Sequence, residues 1–183
     1  MKFLSAALLA VLLTLTFSSS SFAQSAPYAT NEAKFINVDY TLPYPGSILP
    51  DNPLYLLKAI RDNLYNLFIF DPVAKANYDL LMANKRLQYA DKLIDKKEYQ
   101  LSLTTLGKSG NYFDEAIQLA ANTKSQGKDV SDLLNNLYLA SQKHQQVIYE
   151  MSLKTTGDIK YQLELAQVRA KSFQDTVSVV RSR

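Results

Sequence analysis

Apolar side chains recur at steps of three and four from residue 72 to the C-terminus, and that spacing restricts the chain to long helices lying side by side. One stripe runs Ala76, Leu80, Ala83, Leu87, Ala90 and Ile94; a second runs Leu103, Leu106, Gly110, Phe113, Ile117 and Ala120. A third comprises Val130, Leu133, Leu137, Ala140, His144, Val147 and Met151, and a fourth Ile159, Leu163, Ala166, Ala170, Phe173, Val177 and Val180. An average step near 3.5 residues favours near-parallel packing, and the alternation of Ala with Leu or Phe allows close approach. Helix starts are marked by Asp51-Asn52-Pro53 and Asp71-Pro72, each a capping side chain before a first-turn proline. Gly127 and Gly157 suit helix ends, with Asp129 and Asp158 as the following caps. Gly107 and Gly110 each weaken a helix by about 1 kcal/mol, so a break is expected near them if anywhere in 97–123. The sequence therefore predicts an all-α, up-and-down bundle of about five helices in one domain, 51–183.

Ahead of it, 24–34 are small and polar, and Ile36, Val38, Tyr40 and Leu42 alternate with polar residues. Prolines at 43, 45, 50 and 53 then block helix. Over 24–50 the expectation is a flexible stretch, 24–34, followed by an extended, proline-rich arm laid on the helices rather than paired in a sheet. At the N-terminus Lys2 is followed by the apolar run Phe3–Phe17, four serines and Ser21-Phe22-Ala23. That is the pattern of a secretory signal peptide cut after Ala23. The run is shorter than the ~20 residues a membrane span needs, and no later run replaces it. Residues 24–183 are thus expected to be exported, either secreted or held in the periplasm or at the cell surface, with no transmembrane segment. Loss of one lysine takes the charge from +3 to +2, too little to attract nucleic acid.

With no cysteine and one histidine among 183 residues, disulfides, thiolate sites and multi-histidine metal sites are excluded. Gly107-Lys108-Ser109 lacks the upstream glycine of a phosphate-binding loop, and neither hydrolase nor di-iron spacings occur. No cofactor or metal is expected, and no catalytic set. His144, on a core stripe, reads either as a proton switch or as an imidazole bonded to a neighbouring helix. Tyr78 and Tyr89 are eleven residues apart, as are Tyr138 and Tyr149, so each pair shares a helix face. Such faces suit a binding platform or rings bordering a core. A hydrolase of envelope polymers would need paired carboxylates, such as Asp79 or Glu115 near the tyrosines, and no spacing singles out a pair. The segment 54–70, apolar on most sides, is expected to be the enclosed central helix, with a place on a membrane surface as the alternative.

The segments YPGSILPDNPLYLLKAIRDNL (44–64), FDPVAKANYDLLMANKRL (70–87), GNYFDEAI (110–117) and SQKHQQVI (141–148) resemble a bacterial exported domain of unknown function. The resemblance spans roughly 40 to 150. It implies an all-helical extracytoplasmic module, one that also forms the outer part of some membrane-bound anti-sigma-factor-like proteins, and it implies no catalytic residues. The functional expectation is a non-enzymatic helical module that binds a protein or cell-envelope partner. A soluble stress-sensing subunit of an envelope signalling system is the alternative, ahead of the hydrolase.

Overall fold

The computed structural model describes residues 38–183, so the signal-peptide reading of 1–23 and the segment 24–37 lie outside the described residues. Five helices follow one another: α1 (Tyr55–Leu67), α2 (Pro72–Asp95), α3 (Tyr99–Ser125), α4 (Ser131–Leu153) and α5 (Gly157–Ser182). The described part is all-α, as the periodicity predicts.

Two antiparallel hairpins, α2–α3 and α4–α5, make up the bundle, with α2 beside α4 and α3 beside α5. Lys154, past the end of α4, binds Asp91 and Asp95 at the end of α2 (2.8 and 2.9 Å). Lys124, at the end of α3, donates to the last carbonyls of α5. The two α2–α4 and α3–α5 neighbours are therefore parallel. Consecutive α3 and α4 stand on the diagonal and meet chiefly through the core.

The tightest seam is α2–α3. Ala76, Ala83 and Ala90 of α2 are fully buried, and seven-residue spacing also aligns Ser102, Ser109 and Ala116 of α3. Ser102 Oγ donates to the Ala90 carbonyl (2.7 Å) and Ser109 Oγ to that of Ala83 (2.8 Å). Small side chains bring the backbones close, and bonds across the gap satisfy both buried serine hydroxyls. At the centre Phe113 stacks on Phe173 (centroids 4.7 Å, planes 4° apart) and meets His144 edge-on at 4.9 Å.

Local signals explain most boundaries. Asp71 caps α2 by accepting from the Ala74 N–H (2.7 Å), with Pro72 in the first turn. Asn52 Oδ1 accepts from Leu54, and α1 starts only at Tyr55. Asp129 accepts from the Ser131 N–H (2.9 Å) but stands one residue before the N-cap of α4, which is Val130. Asp158 caps nothing: it lies inside the first turn of α5, where its charge still suits the helix dipole, and Thr156 is the N-cap. Gly157 is not the end of α4 but the first residue of α5. α2 ends through Lys97, which takes the left-handed conformation (φ 63°) usually left to glycine. α3 runs unbroken through Gly107 and Gly110. Gly110 serves packing instead, since a Cβ there would come within 2.7 Å of the Arg169 guanidinium of α5.

Residues 38–50 form no strand and lie along α2. Asn84 donates to the Tyr40 hydroxyl (2.7 Å), Gln88 to the Pro43 carbonyl, and Tyr89 to the Pro45 carbonyl (2.6 Å). Leu49 is buried.

The expectation of an enclosed first helix is overturned. No residue of α1 is buried. The apolar stripe of α2 is already occupied by α3 and α4, so the surface it offers α1 is made of polar side-chain tips. α1 answers with its own polar side. Tyr55 accepts from Arg86, the Asp62 carbonyl accepts from Tyr78 (2.8 Å), and Asn66 accepts from Lys75 (2.8 Å). Tyr55 also packs edge-on against Tyr89. Bonding through that side turns the opposite, apolar side outward.

Candidate functional site

Helical geometry places Leu56, Leu57, Ile60, Leu64, Leu67 and Phe68 within one third of the circumference of α1. Each is exposed, from 48% at Ile60 to 70% at Phe68, and Phe70 beyond the helix end is 85% exposed. Singly exposed leucines are ordinary, whereas a contiguous set of six large side chains marks an interaction surface. Basic groups border it. Lys58, Arg61 and Lys85 share a shallow depression with Tyr44, Leu54 and Leu57. Lys58 donates to the Pro45 carbonyl (2.9 Å), touches the Tyr89 hydroxyl and lies over the Tyr89 ring. Burial lowers its pKa. Exposed Arg61 pairs with Asp62 at 2.6 Å.

The four tyrosines do not converge on one platform. Tyr78 and Tyr89 share a face of α2, as their spacing predicts, and that face lies beneath α1 and the arm. Their hydroxyls bond to backbone carbonyls rather than to water. Burial, followed by the Asp62 carboxylate, pushes the Tyr78 pKa up to about 12. Tyr138 accepts from Gln174 of α5 and carries the Arg181 guanidinium over its ring (5.0 Å). Tyr149 is half-buried on α4.

His144 lies fully inside the bundle. Its Nε2 is 2.9 Å from Asn84 Oδ1, and because the Asn84 amide donates to Tyr40, the imidazole is the donor. Burial drives its pKa down to about 3. The ring is therefore neutral throughout the physiological range and joins α4, α2 and the arm. It also borders a cavity of about 250 Å³ between α3 and α5, beside Arg169 and Phe173.

Asp79 and Glu115 come into electrostatic reach across the α2–α3 seam but in unlike settings. Asp79 is 1% exposed with neither oxygen hydrogen-bonded. Burial, moderated by Lys75 and reinforced by Glu115, raises its pKa to about 6. Glu115 is exposed. A carboxyl sealed in this way is out of reach of a polymer.

Sequence reasoning missed Arg86. It is 7% exposed and pairs with no carboxylate among the described residues. Its Nη1 donates to the Tyr55 hydroxyl (2.7 Å) and its Nη2 to that of Tyr112 (3.3 Å), and Nε has no partner. The only signal in the chain was its position between Tyr78 and Tyr89 on one helix face. Among the described residues, no group of three or more metal-ligating side chains is placed to hold an ion, and no helix is long and apolar enough to cross a membrane.

No curated protein and no solved structure matches the chain. The family described as a domain of unknown function, DUF5667, matches residues 47–158, which takes in α1 to α4 and the start of α5. This is more than half of the chain, and the protein belongs to that family.

Proposed function

We propose that this protein is an exported, non-enzymatic helical module that lies on an anionic membrane surface of the cell envelope through α1. The observation that carries the reading is the outward apolar face of α1, held in place by bonds from its polar side. A protruding helix with large apolar side chains and basic groups along its flank has the form of an interfacial helix, the apolar face entering the acyl boundary and the cations meeting lipid phosphates. Lys58, Arg61 and Lys85 supply that charge beside Leu57. Export rests on the N-terminal pattern, and the non-enzymatic character on the lack of any catalytic motif in the sequence.

The cysteine-free chain permits a single probe. Leu64→Cys on α1 and Asn135→Cys on the exposed side of α4 would each carry an environment-sensitive fluorophore. With phosphatidylglycerol vesicles, the expected result is a blue shift at position 64, none at 135, and a weaker response at high salt. A water-like spectrum at position 64 overturns the proposal. So does a concentration-dependent blue shift without vesicles, which would assign the face to a second copy of the chain.

A further inference from the structure

Arg86 is a buried charge that no described carboxylate balances. A guanidinium offers five N–H donors, and here two are used on neutral hydroxyls while Nε has no partner. Stacking over the Tyr112 ring, 4.7 Å from guanidinium carbon to centroid, supplies weak compensation. A buried cation without a counter-charge is costly to keep, and this one borders an open cleft. The cleft, about 330 Å³, lies between α1 and α3 and is lined by Tyr55, Asn63, Arg86, Lys108, Tyr112 and Glu115 among others. That is within the size range of small-molecule sites.

We propose that this cleft binds a small monoanion, carboxylate or phosphate diester, through the Arg86 guanidinium. Both tyrosine hydroxyls already accept from Arg86, so each retains its own proton to donate to a ligand. The side chain of Lys108, exposed and without an ion-pair partner among the described residues, adds a second cation at the mouth. Asn63 adds an amide from α1. The ligand's anionic oxygens thus complete the planar fork of Arg86, which suits paired oxygens better than an ammonium does. Glu115 on the rim sets the selectivity, because its carboxylate repels multiply charged anions while tolerating one negative charge. The cleft is distinct from the outward face of α1, so either assignment can stand without the other.

The test is calorimetric and NMR titration of the full chain with acetate, with dimethyl phosphate and with sulfate as the dianion. Saturable binding of the two monoanions is expected, with amide shifts at Asn63, Lys108 and Tyr112, and weaker binding of sulfate. Lys108→Gln, at an exposed site, should weaken binding roughly tenfold, and Glu115→Gln should tighten it and admit sulfate. Arg86→Lys keeps the charge but loses the fork, and should lose saturable binding while the helical circular dichroism is retained; if that variant unfolds, the two surface variants decide. Non-saturable shifts with both monoanions, or equal affinity in the parent, Lys108→Gln and Glu115→Gln, overturn the proposal. Phosphatidylglycerol vesicles separate the sources: competition with dimethyl phosphate that is lost in Lys108→Gln assigns the site to a lipid headgroup, and no competition assigns it to a soluble anion.

Discussion

α1 and α5 carry comparable rows of large apolar side chains, and the bundle treats them in opposite ways. α5 shuts Leu163, Ala170, Phe173 and Val177 against α3 and α4, whereas α1 shuts away nothing. α1 is also the more apolar of the two in sequence. The difference lies in the partner surface. α5 meets a free apolar groove, and α1 meets the polar tips of α2, so hydrogen bonding fixes which way α1 faces. Apolar content describes what a helix has available to bury, while its neighbours determine whether it does so.

Substitutions sharpen this contrast. The largest expected effect is Phe173→Ala, which unstacks Phe113 and should cost about 3–5 kcal/mol in denaturant unfolding. A loss below about 1 kcal/mol would place α5 on the same loose footing as α1. Next comes Asp79→Asn. The folded-state pKa of Asp79 is raised from 3.8 to about 6, so its contribution to stability is complete below pH 3.8 and is lost as pH rises through about 6. The variant should therefore gain about 2–3 kcal/mol relative to the parent between pH 4 and pH 8. An identical pH profile in the two proteins would contradict the buried, unbonded carboxyl.

His144 acts with the opposite sign. Its folded-state pKa is depressed from 6.5 to about 3, so stability should fall as pH drops from 6.5 toward 3, when the unfolded chain takes up the proton first. Titration by NMR with a midpoint near 6.5 in the folded protein would refute that burial. The smallest effect belongs to α1: Leu64→Ser should change unfolding free energy by no more than about 0.5 kcal/mol while removing part of the outward apolar face.

The rows of α2 to α5 were legible because each repeats locally, and every residue of the α2 and α4 rows is buried as the spacing predicts. The capping at Asp71 was legible for the same reason. Features that depend on distant pairings were not. The bond from His144 to Asn84 spans sixty residues, so sequence could suggest a bonded imidazole without naming its partner. Lys97 in a glycine's role and Gly110 as a slot for Arg169 follow from three-dimensional packing that a local reading does not contain. Arg86, in the run Lys85-Arg86-Leu87, reads as ordinary surface charge until Tyr55 and Tyr112 close over it.

The serine hydroxyls across the α2–α3 seam also define a register. Ser102 and Ser109 meet the carbonyls of Ala90 and Ala83 with one common offset. Sliding α3 by a single turn would orphan both hydroxyls together and drive larger side chains against the alanines. Only one alignment of this hairpin is therefore free of penalty, which makes it a ruler against which the remaining helices are set.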